Sequence, residues 1–125
     1  MNTYLFAASI LTIGIGLVHS ILGEIIIFNR LRRDNWIPTE GGSALREFHV
    51  RILWACWHVV SVLGWALAAI LLHLSYEVAT PLTSWLTLCL MVAFVSSSAL
   101  VLVGTRGKHP GWIGLMTVAI LIALA

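Results

Sequence analysis

The chain has 125 residues, of which 60% are hydrophobic and only 10% charged, with a mean hydropathy of +1.00. A water-soluble domain carries about 25% charged residues, so this composition argues against a soluble enzyme and predicts a single all-α integral membrane domain over 1–125. The net charge of +2 is too small for a nucleic-acid surface; the expected partners are the lipid bilayer and a second copy of the chain.

Residues 4–28 form the first apolar segment. No Lys or Arg precedes Arg30 and no small-x-small cleavage pattern closes the segment, so it is expected to be a retained span and not a signal peptide. Gly16, Ser20 and Gly23 make a small-residue edge that lets another helix approach, and His19 and Glu24 lie beside it.

The first loop, 29–48, opens with Arg30, Arg32, Arg33 and Asp34 and contains the turn cluster Pro38-Thr-Glu-Gly-Gly-Ser43. Ser43 is expected to cap the next helix. The second span, 52–74, continues the most informative stretch of the chain. Glu47, Arg51, Trp54, His58, Ser61 and Trp65 recur at intervals of four, three, four, three and four, which places all six on one helix face. The other faces are Val, Leu, Ile and Ala. A polar-aromatic stripe on an apolar helix is the pattern of a span whose stripe looks inward.

A short turn ending at Pro81 leads to the third span, 82–103, with Ser96, Ser97 and Ser98 in its second half. A basic turn over 104–110, which includes Arg106, Lys108 and His109, precedes a fourth and short span, 111–125. Cys56 and Cys89 lie in apolar segments without metal-type spacing and are expected to be small core residues.

All seven basic residues lie in or beside the loops 29–48 and 104–110. The positive-inside rule then predicts a four-transmembrane-helix bundle with both loops in the cytoplasm and both termini on the outer side.

The polar residues gather at one depth. His19 is nine residues before Phe28 and His58 seven after Arg51, so both sit about 10–13 Å inside the cytoplasmic edge at helical rise. An ionisable group in mid-span costs about 2.5–3.5 kcal/mol on insertion scales, so it is kept when it is paired or when it works. Glu24 and Arg51 are expected to pair, and His19 and His58 to face one cavity with Ser61 and Ser97 near it. The structural reading is that these groups only hold helices together.

Three chemistries suit the set His19, Ser20, Glu24, Arg51, His58, Ser61, Ser97 and His109. His19, His58 and Glu24 offer three donors to a transition metal. The two histidines can instead ligate haem axially. A His–Glu–Arg network inside a membrane can also relay protons or anchor a polar ligand. The sequence singles out no catalytic residue. A membrane enzyme acting on a lipid-like substrate and an accessory subunit without chemistry stand as alternatives.

Three short patterns are spread along the chain: His19-Ser20-Ile-Leu-Gly23-Glu24, Trp57-His58-Val-Val-Ser61 and Arg106-Gly-Lys-His109-Pro-Gly-Trp112. Together they resemble a family of small bacterial four-span membrane proteins of uncharacterised activity. The resemblance implies the four-helix architecture and a bacterial plasma (inner) membrane, and it implies no reaction.

Overall fold

The computed structural model describes residues 1–33 and 35–125, and the regular structure among them is helical. Helix α1 spans Thr3–Leu22 and runs on through a π turn, Gly23–Ile27, and a 3-10 turn, Phe28–Leu31; α2 is Glu47–Leu74, α3 Pro81–Gly104 and α4 Gly111–Ala123. Three stretches, Thr3–Leu31, Glu47–Leu74 and Pro81–Gly104, are long and apolar enough to cross a membrane. The 13 residues of α4 reach about 20 Å at helical rise, short of a hydrocarbon core of about 30 Å. Asp34, expected in the charged opening of the first loop, lies outside the described residues.

Large apolar side chains are exposed along the helices, Leu100 and Val103 to 75% each. Water tolerates few such patches; this is the kind of surface that acyl chains cover. Cys56 and Cys89 are on it, both exposed and free. The expectation of core cysteines is thereby corrected, for a small apolar thiol is as well accommodated by lipid as by protein.

The chain divides into two compact units, to both of which α1 and α2 contribute. The first comprises Met1–Ile15 and Gly64–Ala125. Its core takes Leu5 and Ala8 from α1, Leu71 and Leu74 from α2, Leu90 and Phe94 from α3, and Val118, Ala119 and Ile122 from α4. Ala8 and Ala68 are fully buried, and these small residues bring the two backbones near enough for Ser9 Oγ to donate to the Ala68 carbonyl at 2.8 Å. Asn2 Oδ1 caps α1 by accepting from the Tyr4 and Leu5 amides. Thr80 and Thr83 form a capping box at the start of α3, with Pro81 in the first turn, where its missing N–H costs nothing. The α3–α4 turn needs left-handed backbone at Arg106 (φ 51°) and Gly107 (φ 74°). The Gly107 amide then reaches back to the Leu102 carbonyl at 2.8 Å and closes the helix end.

The second unit is Gly16–Leu63. Here the loop after Leu31 folds back on the helix end, as the Thr39 and Glu40 amides both donate to the Leu31 carbonyl at 2.9 Å. Pro38 and Val50 are buried, and Phe28 packs edge-on against the Trp57 indole. Helix α2 starts at Glu47, four residues beyond the expected cap Ser43. The intervening turn is held by the Leu45 amide on the Gly41 carbonyl, so Ser43 has no helix to cap.

Candidate functional site: a hydrogen-bonded line ending in a cleft

The site lies within the second unit and is built by the end of α1 and the first half of α2. It begins with a close approach. Gly23 is buried, and a Cβ there would run into the Trp57 indole. Trp57 uses that space to donate from Nε1 to the His19 carbonyl at 2.9 Å and to stack on the His19 ring, with centroids 4.2 Å apart and planes 8° from parallel. The helix then widens into its π turn, where the Phe28 amide faces both the Gly23 and Glu24 carbonyls. Single π turns inside helices are found frequently at functional sites, and this one carries Glu24.

The Glu24 carboxylate accepts from three N–H groups. Trp54 Nε1 donates to Oε1 at 2.6 Å, His58 Nε2 approaches the same oxygen at 2.8 Å, and the Arg32 guanidinium pairs with Oε2. Trp54 also packs edge-on against the His58 ring, with centroids 5.1 Å apart. On the far side of that ring, Nδ1 lies 3.0 Å from Ser20 Oγ. Ser20 Oγ is in turn 2.8 Å from Ser61 Oγ, and Ser61 is buried. Four side chains thus form one unbroken line: Glu24, His58, Ser20, Ser61.

Proton counting shows what the line can do. An ionised carboxylate only accepts, so Nε2 of His58 carries hydrogen. Two arrangements are then self-consistent. In one the imidazole is neutral and Nδ1 accepts the Ser20 hydroxyl proton, which requires the Ser61 hydroxyl to turn from the acceptor role it has in the structure and donate to Ser20. In the other Nδ1 is protonated and donates to Ser20, whose own proton turns to Ser61. They differ by one proton on His58 and by the direction of every hydroxyl in the line.

The carboxylate end opens into a cleft of about 680 Å³ lined by Glu24, Arg32, Asn35, Trp36, Ile37, Trp54 and His58. Arg32 is fixed across it, since its Nε donates to the Trp36 carbonyl at 2.6 Å. The cleft therefore combines an acid, a guanidinium, an imidazole and two indoles.

Of the residues expected in a site, Ser20, Glu24, His58 and Ser61 come together here. Arg51 does not join them: it is exposed and pairs with Glu47 one turn away, Nη2 to Oε1 2.6 Å. The expected Glu24–Arg51 pair is thus corrected to Glu24–Arg32. His19 does not line the cleft with His58; its ring is taken up by the Trp57 stack. Ser97 and His109 belong to the first unit. Ser97 is exposed, and its buried neighbour Ser98 donates to the Trp112 carbonyl at 2.7 Å. His109 Nδ1 accepts the Gly111 amide at the start of α4, a capping role. Among the described residues no three of His, Cys, Asp and Glu are grouped so as to hold a metal ion. His19, His58 and Glu24 accordingly do not form a ligand set, and the Nε2 that His58 would offer faces the carboxylate. Sequence reasoning passed over Arg32, Trp54 and Trp36 as site residues. Arg32 is legible in the sequence only as one of several loop arginines, and Trp54 as one residue of the stripe on the second span.

Compared with protein-family models, with curated proteins and with solved structures, the chain matches none.

Proposed function

We propose that the chain is a four-span integral membrane protein that binds a small ligand in this cleft and carries protons to the cleft through the Glu24–His58–Ser20–Ser61 line. The asymmetry of basic residues supports both termini outside and the cleft on the cytoplasmic side, and the family resemblance supports a bacterial plasma membrane. The observation that carries the functional reading is the unbroken line itself, 2.8, 3.0 and 2.8 Å from carboxylate to buried hydroxyl. A proton entering at Ser61 passes to Ser20, the Ser20 proton to Nδ1, and the Nε2 proton to Glu24, from which it leaves into the cleft; the ring, then protonated at Nδ1 alone, returns to its Nε2–H form before the next transfer. Each atom along the way ends with its valence satisfied. Intramembrane ionisable groups held in such networks mark ligand and proton pathways.

The experiment is nitrogen-15 NMR of histidine-labelled protein in phosphatidylcholine nanodiscs. The neutral His58 ring is expected as the Nε2–H tautomer. Ser20→Ala and Ser61→Ala are expected to slow exchange of the His58 ring proton by about a hundredfold, the usual scale of positioned acid–base transfer. Unchanged exchange in both variants would rule the line out as a proton path.

The order serine, imidazole, carboxylate is also that of a nucleophile, its base and the group that orients the base. It supports a second reading, an acyl-transfer enzyme working on a lipid-like substrate. Covalent labelling of Ser20 by a fluorophosphonate would select that reading.

A further inference from the structure

The lining of the cleft says which ligand it suits, and the inference rests on the binding reading above. Arg32 is the anchor. Its two contacts, with the Trp36 carbonyl and with Glu24, hold the guanidinium in place and use two of its five N–H donors. A planar guanidinium fixed in this way recognises phosphate or carboxylate through paired hydrogen bonds. Glu24 and Arg32 are the charged side chains of the lining, and the N–H donors that Arg32 does not spend on Trp36 and Glu24 are left for an incoming anion.

The walls call for something more than a free anion. Trp36 is 94% exposed, and an indole standing out from a loop next to a span end belongs at the headgroup level of a bilayer. Ile37 and Trp54 complete an apolar rim. Ile25 and Ile26, directly after Glu24, are exposed to 62% and 52%. An acyl chain attached to an anion on Arg32 meets apolar surface at once.

We propose that the cleft seats the phosphate of an anionic phospholipid on Arg32, between the Trp36 and Trp54 indoles, with its acyl chains lying along Ile25 and Ile26. Other tailed anions share this chemistry, but a bilayer supplies the phosphate at the depth of the cleft.

Native mass spectrometry of the detergent-purified protein tests it, with phosphatidylglycerol, phosphatidylcholine and inorganic phosphate as probes. One phosphatidylglycerol should bind with a preference of about fivefold over phosphatidylcholine, the scale of one arginine at a lipid surface. Arg32→Gln should abolish that preference. Because Arg32 also supports Glu24, Trp36→Ala provides the second arm: it removes only an exposed indole and leaves the Trp36 carbonyl on Arg32, so it should weaken phosphatidylglycerol binding without lowering thermal stability. Arg46→Gln, outside the cleft, should change neither. The proposal fails if the two lipids bind equally, if Arg46→Gln costs as much as Arg32→Gln, or if inorganic phosphate displaces the lipid at equal concentration. The histidine NMR experiment uses phosphatidylcholine alone, so loss of lipid selection leaves the proton line standing, and the reverse.

Discussion

Removing the charge of Glu24 tests the electrostatic centre of the site. In Glu24→Gln the amide oxygen can still accept from Trp54 and His58, now 2.6 and 2.8 Å from Oε1. The amide nitrogen then faces the Arg32 guanidinium, donor against donor. Breaking a fully buried pair typically costs about 3–5 kcal/mol. These side chains are 29% and 24% exposed, so water recovers part of that, and the range for a hydrogen bond to a charged group, about 1.5–3 kcal/mol, applies instead. Arg32→Met should cost a similar amount. The double variant should be milder than the sum of the two, with a coupling of about 1–2 kcal/mol. Glu24→Gln with Arg51→Met should be additive within about 0.5 kcal/mol, because Arg51 belongs to an exposed pair with Glu47. Equilibrium unfolding in mixed micelles, followed by far-ultraviolet circular dichroism, gives all the terms. Additivity of the 24 and 32 changes, or a coupling between 24 and 51, would refute the assignment of Arg32 as the partner.

Two further outcomes follow from the geometry. Gly23→Ala pushes a methyl group into the Trp57 indole and should destabilise by about 1–3 kcal/mol, whereas Gly14→Ala, which meets nothing within 4 Å, should be neutral or stabilise by up to about 1 kcal/mol; equal effects in the same unfolding assay would contradict the close approach. In a background with Cys56 and Cys89 changed to Ala, Val78→Cys should react with an impermeant thiol reagent added outside intact cells and Ser43→Cys should not, and the reverse pattern would invert the proposed topology.

The helices were legible because long apolar stretches announce themselves through length and composition, and three of them are long and apolar enough to cross a membrane. The stripe on α2 was legible as a stripe, and Trp54, His58 and Ser61 do turn toward α1. Partner choice was not legible. Helical rise put Glu24 and Arg51 near the same edge, yet rise alone says nothing about how a loop folds back. The Leu31 carbonyl turns the chain by accepting two amides, and Arg32 lies at that turn, beside Glu24. Matching depths for His19 and His58 failed as a guide for a related reason. Depth fixes height along a helix and leaves rotation free, and the space over Gly23 gave His19 to the Trp57 stack. The π turn had no signature in the periodicity at all.

The two units use their buried polar groups differently. In the first, Thr12 donates to the Ala8 carbonyl of its own helix, while Ser9 and Ser98 donate to carbonyls of neighbouring helices, which satisfies each hydroxyl and joins helices at little cost. In the second, Glu24, Trp54, His58, Ser20, Ser61 and Arg32 bond to one another through their side chains. Side chain to side chain bonds make up only about 10–15% of those in folded proteins, and a part-buried network of them loses stability if any member is left unpaired. Apolar residues of similar volume often replace buried ion pairs with no loss of stability. Helix packing alone would therefore be served by Leu and Ala at these positions, as it is in the first unit. The combination found instead, an acid and an imidazole in line with two hydroxyls and open to a cleft at one end, is a costly way to hold two helices, and the proposed proton line gives that cost a use.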